Sequence, residues 1–154
     1  MLRGTTVTKI KLYTIGFTKK SAEQFFTKLA SSGATRVLDV RLNNSSQLAG
    51  FSKRDDLQYF LRAIANIGYE HLPALAPTQD ILTQFKTDKG DWSVYETKFL
   101  ELMSGRAIET TIAPELMNGG CLLCSEDKPH HCHRRLVAEY LAEKWGNVEI
   151  VHLV

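Results

Sequence analysis

The sequence has no long apolar run, and its first residues do not show the pattern of a secretory signal, so we expect neither a membrane-spanning nor a secreted protein. No apolar stretch approaches the length that crosses a bilayer. The first residues, MLRGTTVTKIKLY, lack both the apolar segment and the small-residue cleavage site of a secretory signal. We therefore expect a cytoplasmic protein that makes no contact with a membrane.

Cysteine and net charge are also scarce. The chain has 3 cysteines, an odd number, and in a reducing compartment a structural disulfide framework is not expected. The thiols are then buried, ligating or reactive. The formal net charge is only +2, which by itself does not indicate binding to nucleic acid. Any basic surface for a partner must be local.

The length and composition are those of an ordinary globular protein. The chain has 154 residues, and 44% of them are hydrophobic, enough to bury a proper core. No linker, internal repeat or low-complexity segment interrupts the sequence. We therefore predict a single compact domain over residues 1–154.

Segments with strand and helix patterns alternate almost throughout. Strands are predicted at residues 9–15, 35–41, 69–73, 120–126 and 148–154. A helix within residues 17–33 begins with a capping box, Ser21 with Gln24, and a second helix is expected to be capped by Ser52 or Asp55. The last helix is predicted over residues 131–146. This alternation predicts an α/β fold with three layers, in which helices cover both faces of a mainly parallel sheet of about five strands.

In such folds, ligands bind outside the carboxyl ends of the strands. Polar and reactive residues follow the first, second and fourth predicted strands. They are therefore expected at one edge of the sheet: Gly16, Thr18, Asp39, Arg41, Cys124 and Glu126.

The stretch GGCLLCSEDKPHHCHRR holds all three cysteines. Cys121 and Cys124 should point to opposite faces of a strand, which disfavours a redox pair between them. Helix periodicity turns Cys132 inward, so Cys121 and Cys132 are expected in the core. The turn-borne C-x-x-C pairs of structural zinc sites are missing, and we predict no metal or other cofactor. If a metal does bind, Cys124, Cys132 and His133 are the candidate ligands.

A catalytic interpretation depends on the convergence of several groups. The start of the last helix should hold an anion together with Arg41, His133 and Arg134. Two carboxylates beside that anion, Asp39 and Glu126, would divide the acid and base roles.

Other roles for these residues remain open. Cys124 would be a wall of the site or a nucleophile, with His133 as its base. Asp39 is equally well explained as an ion-pair partner of Arg41 or Arg134.

Three stretches resemble one family across nearly the whole chain: YTIGF through DVRLNNSSQLAGF, then GYEHLPAL, then LLCSEDKPHHCHRRLVAEYL. The family is domain of unknown function 488, and RLNNSSQLAGF is typical of a subgroup. The resemblance implies a compact α/β domain and little about activity. The positions that match the family pattern are Gly16, Asp39, Val40, Arg41, Ser46, Gly50, Phe51, Cys124, Glu126, Cys132, His133 and Arg134.

The leading hypothesis is a small enzyme, a hydrolase or group transferase, that acts on an anionic small molecule or nucleotide at the strand-end cleft. Ser46 and Phe51 would reach this cleft from the long loop after the second strand.

Two alternatives remain open. A nucleic-acid-binding or processing module would use basic and aromatic residues near loops and helix starts. These are Lys9, Lys11, Lys19, Lys20, Lys53, Arg54, Tyr13, Phe17, Phe51 and Tyr59. The other alternative is a metal- or thiol-based sensor.

Overall fold

The structure is a computed structural model that describes residues 9–44, 50–87, 91–126, 129 and 132–154. Five strands form one sheet: β1 (Ile10–Gly16), β2 (Arg36–Asp39), β3 (Gly68–His71), β4 (Gly120–Cys124) and β5 (Val148–Leu153). The α-helices are α1 (Ala22–Ser32), α2 (Arg54–Phe60), α3 (Gln79–Thr87), α4 (Trp92–Gly105), α5 (Ile108–Thr111), α6 (Pro114–Met117) and α7 (His133–Trp145). Two 3-10 turns, Gly50–Ser52 and Pro73–Leu75, and a π-helical turn, Leu61–Ala65, complete the described elements.

The strands lie in the order β3-β2-β4-β1-β5, and every neighbouring pair is parallel. This confirms the predicted α/β architecture. The central strand β4 pairs with β1 on one side and with β2 on the other, and all five of its residues are buried. Parallel strands direct their carboxyl ends to the same edge, so the ends of β1, β2 and β4 come together there.

Local sequence signals explain where several helices begin and end. The predicted capping box at α1 is confirmed: the Ser21 hydroxyl accepts from the Gln24 amide, and the Gln24 side chain accepts from the Ser21 amide. Gly33 ends the same helix in the left-handed conformation. The cap predicted for the second helix was wrong. Lys53 occupies that position, with no side-chain cap, because Ser52 already belongs to the preceding 3-10 turn.

Two apolar clusters lie on opposite faces of the sheet. One includes residues of α4 and α7 together with Leu12, Leu122 and Cys124. The other includes residues of α1 and α2 together with Ile15 and Cys121. Cys121 and Cys124 therefore point to opposite faces, as strand alternation predicts. Within the described ranges, no helix is long and apolar enough to span a bilayer.

Candidate functional site

A cleft of about 400 Å³ lies at the carboxyl ends of β2 and β4. The segments after β2 (residues 41–43) and around the end of β4 (residues 124–126) form one part of its lining. Cys132 and His133, at the start of α7, form another, and side chains of α3 and α4 close the opposite side. The predicted strand-end location therefore coincides with a cavity large enough for a small molecule.

Asp39 and Arg41 form a buried ion pair at the end of β2. Arg41 donates from Nε to Oδ1 of Asp39 at 2.9 Å and from Nη2 to Oδ2 at 2.8 Å. The backbone amide of Arg41 also donates to Oδ1 at 3.1 Å. The two-point contact fixes the plane of the guanidinium, since both of its hydrogen bonds must be satisfied together.

Three side chains from neighbouring segments support this pair. The Tyr69 hydroxyl, on β3, donates to Oδ2 of Asp39 at 2.5 Å and accepts from the Asn44 side-chain amide at 3.2 Å. Burial, followed by the hydrogen bond to Asp39, raises the pKa of Tyr69, which keeps the phenol protonated as a donor. His71 Nε2 lies 2.9 Å from the Arg41 carbonyl. The oxygens of Asp39 are thus occupied by donors, and this carboxylate positions Arg41.

The remaining terminal nitrogen of Arg41 has a different environment. Arg41 is only 4% exposed and lines the cleft, with its guanidinium 5.4 Å from the ring centre of Phe17. Its Nη1 is buried and makes no hydrogen bond to any residue in the described ranges. A buried guanidinium N–H without an acceptor is costly, so this atom is suited to bind an acceptor from a ligand.

The junction after β1 and β4 depends on Gly16. A Cβ at this position would overlap the Glu126 carbonyl and lie 2.8 Å from Arg134 Nη1. The same Arg134 nitrogen donates to the Glu126 carbonyl. Thr18 ties the two loops together, because its amide and hydroxyl both donate to the Ser125 carbonyl, at 3.0 and 2.5 Å. Gly16 is therefore required by close backbone approach.

Arg134 and Glu126 face different surroundings. Arg134 is fully buried and donates to Cys124 Sγ at 3.4 Å, so its charge lies behind the cysteine wall of the cleft. The Glu126 side chain is exposed at the cleft rim. Of the two carboxylates predicted to work here, Glu126 is the one that lines the cleft and meets solvent.

Cys124, Cys132 and His133 come together on one wall. Cys124 ends β4, Cys132 precedes α7, and His133 is the first residue of α7. The two sulfurs are joined in a disulfide, so the expectation that a disulfide would be absent was wrong for this pair. His133 Nε2 donates to the Val40 carbonyl at 2.6 Å, and burial lowers the pKa of this histidine to about 4, so the ring is neutral at physiological pH. Cys121 lies buried on the other face of the sheet, away from this group.

Three aromatic side chains that were not predicted also line the cleft: Phe85, Trp92 and Tyr95. The Trp92 and Tyr95 rings stack with their centres 4.8 Å apart, and Phe85 meets Tyr95 edge-on at 5.1 Å. Spacings of three and four residues along α4 resemble an ordinary core stripe, which is why the sequence alone did not single these residues out.

The structure does not bring every predicted residue to the cleft. Phe51 packs against Phe25 and Phe26 under α1, at 5.4 and 5.8 Å, and the prediction for Ser46 lies outside the described residues. Of the aromatics considered for nucleic acid, Tyr13 and Phe17 are buried. Tyr59 is 57% exposed.

The parallel sheet, its two helical layers and the strand-end cleft define a three-layer α/β protein with a small-molecule-sized site. The family model described as "Domain of unknown function DUF488" matches residues 21–141. The chain therefore belongs to the DUF488 family. Comparisons with curated proteins and with solved structures found no match.

Proposed function

We propose that this protein is an enzyme, a hydrolase or group transferase, that acts on an anionic small molecule or nucleotide in the strand-end cleft. The observation that carries this proposal is the state of Arg41. Two of its nitrogens are fixed on Asp39, Nη1 is buried without an acceptor among the described residues, and the residue lines the cleft. A carboxylate or phosphate oxygen of a ligand would supply that acceptor.

Charge and shape support the same class of ligand. The fully buried Arg134 adds a second positive charge behind Cys124, which offsets the charge of Asp39. The stacked Trp92 and Tyr95 line the same cleft and add aromatic surface to it. A compound with both an anionic group and a planar ring matches these two features, and a nucleotide is such a compound.

The chemical roles follow from exposure. Glu126 lines the cleft and reaches solvent, so we assign it the proton transfer, with Asp39 as the group that positions Arg41. Once a substrate has been found, Glu126→Gln is expected to abolish its turnover and to leave substrate binding nearly intact. Full activity in that variant would remove Glu126 from the mechanism.

Binding is tested first, with a panel of mono- and diphosphate nucleotides, inorganic phosphate and aromatic carboxylates. The chain has 2 tryptophans, and Trp92 is the one that lines the cleft. In a Trp145→Phe background, quenching of the remaining tryptophan therefore reports on this cleft. We expect saturable quenching by at least one anionic ring compound and a weaker effect of phosphate alone.

Variants of Arg41 connect that signal to the proposal. Losing a charged hydrogen bond of about 1.5 to 3 kcal/mol should weaken binding roughly 10- to 150-fold in Arg41→Gln. Arg41→Lys keeps the positive charge but loses the two-point geometry of the guanidinium. Its affinity is expected to lie between those of Arg41→Gln and wild type. The matched control is Arg135→Gln on α7, where the arginine pairs with Glu139. The proposal would be refuted if Arg41→Gln is folded and binds the ligand with the same affinity as wild type.

The alternatives from the sequence stay predictions. Salt-dependent retention of oligonucleotides would support the nucleic-acid module, and no retention at low salt would remove it. The expected cytoplasmic location is likewise a prediction.

A further inference from the structure

Three side chains with soft donor atoms converge on one wall of the cleft. Cys124 and Cys132 each offer a sulfur and His133 offers a ring nitrogen, and these atoms lie within 4.8 Å of one another. All three residues are at most 9% exposed, and all three line the cleft. Two thiolates with one imidazole form a donor set that favours zinc among the common divalent ions.

The Cα atoms of Cys124 and Cys132 are farther apart than is usual for a disulfide, and the spacing suits two ligands of one metal ion. Their Cα atoms are 7.4 Å apart, whereas disulfides usually hold Cα atoms within about 4.4 to 6.8 Å. A tetrahedral zinc with two Zn–S bonds of about 2.3 Å would place the sulfurs about 3.8 Å apart. This S···S distance is roughly 1.7 Å longer than the S–S bond of a disulfide. Adding that difference to the usual Cα–Cα distance of a disulfide gives about 7.5 Å. In the reduced protein, this Cα spacing therefore leaves room for an ion between the two sulfurs.

His133 is in the tautomer that binding through Nδ1 requires. A carbonyl oxygen only accepts hydrogen bonds, so the 2.6 Å contact with Val40 places the ring hydrogen on Nε2. Nδ1 then carries the free lone pair. Metal-bound histidines generally donate their second N–H to a carbonyl or carboxylate in this way, which fixes both tautomer and ring direction.

The surroundings of Cys124 also suit a metal-bound thiolate. Arg134 Nη1 donates to Cys124 Sγ at 3.4 Å, and the same nitrogen is held by the Glu126 carbonyl. An N–H donor on the sulfur stabilises its deprotonated form, which is the form that binds metal.

We propose that, once the disulfide is reduced to two thiols, Cys124, Cys132 and His133 bind one zinc ion, with a fourth coordination position open to the cleft. Three protein ligands with an open position are typical of catalytic zinc sites, whereas structural sites are closed by a fourth protein ligand. This departs from the expectation of no metal, which was based on the missing C-x-x-C pairs. The second cysteine comes instead from a position eight residues along the chain. The proposal goes beyond the proposed function and does not depend on which anion binds.

The test uses the full chain, purified with a phosphine reductant that does not bind zinc appreciably, then loaded with Zn²⁺ or Co²⁺ and dialysed. Elemental analysis is expected to give one metal per chain. The cobalt protein should show the sulfur-to-cobalt charge-transfer bands and the visible bands of tetrahedral coordination. Cys124→Ser, Cys132→Ser and His133→Gln should each weaken binding at least about tenfold, since even outer partners of a metal site cost 10- to 100-fold. Cys121→Ser, on the other face of the sheet, is the matched control and should bind as wild type.

A second measurement keeps the test valid if a variant fails to fold. In wild-type protein, zinc should protect Cys124 and Cys132 from alkylation, and a chelator should expose them, with mass spectrometry identifying the labelled residues. The proposal is overturned if reduced wild type binds neither ion, if the Cys124→Ser/Cys132→Ser double variant binds as tightly, or if zinc leaves the alkylation of both cysteines unchanged. These outcomes leave the anion-binding test of Arg41 unaffected, so the two proposals fail separately.

Discussion

Replacing Asp39 with Asn tests whether this buried carboxylate is the structural anchor of the site. Asp39 is fully buried and accepts four hydrogen bonds, three from Arg41 and one from Tyr69. An amide at this position has one acceptor oxygen and directs an N–H₂ group toward donors. It also leaves the Arg41 charge buried without its counter-ion.

The size of the effect follows from that charge. Breaking a buried ion pair by removing one partner costs about 3 to 5 kcal/mol. For a chain of this length that loss lowers the melting temperature by about 6 to 20 °C. Urea unfolding followed by circular dichroism would measure the free energy directly, and thermal melting gives a second estimate.

Two further variants test whether the stability lost in Asp39→Asn comes from the uncompensated charge of Arg41. The double variant Asp39→Asn/Arg41→Met removes the uncompensated charge as well, so it should be more stable than Asp39→Asn alone. Asp55→Asn is the matched control, because its ion pair with Arg54 is exposed and should contribute less than about 1 kcal/mol. The reasoning is wrong if Asp39→Asn lies within about 1 kcal/mol of wild type, or if the double variant loses the sum of two independent costs.

Two other perturbations test the surroundings of the site. Gly16→Ala should lower the free energy of unfolding by at least about 1 to 3 kcal/mol, because the added methyl overlaps the Glu126 carbonyl. Urea titration measures this loss. An unchanged free energy of unfolding would contradict the close approach of the Glu126 carbonyl to Gly16. Burial lowers the pKa of His152, so the unfolded chain takes up a proton at higher pH than the folded one, and the free energy of unfolding should decrease as pH falls below about 6.5. His152→Asn should reduce this dependence of the unfolding free energy on pH, measured on either side of about pH 6.5. Part of the dependence should remain, because the pKa of His133 is shifted in the same direction.

Periodicity predicted the strands, and the capping box predicted the start of α1, because those signals are local. The capping box of Ser21 and Gln24 lies within one helical turn, and the alternation along β4 depends on side-chain direction alone. The rule for strand ends then located Arg41 and Cys124 at one edge of the sheet without knowledge of the strand order.

The partners within the site are set by tertiary contacts and were not predictable in the same way. Tyr69 meets Asp39 only because β3 lies beside β2, which a single sequence does not reveal. The disulfide between Cys124 and Cys132 joins the end of β4 to the residue before α7, and strand alternation and helix periodicity do not predict that pairing. Trp92 and Tyr95 show a helical pattern that fits core and cleft equally well.

The order of the strands also has a consequence for synthesis of the chain. β1 and β2 are consecutive in the sequence, yet β4 lies between them in the sheet and is made about eighty residues after β2. Until β4 emerges from the ribosome, β1 and β2 each present an unpaired edge to the cell. β4 joins the two parts of the sheet, and the cleft and both proposed binding sites are complete only after Cys132 and His133 at the start of α7 have followed it.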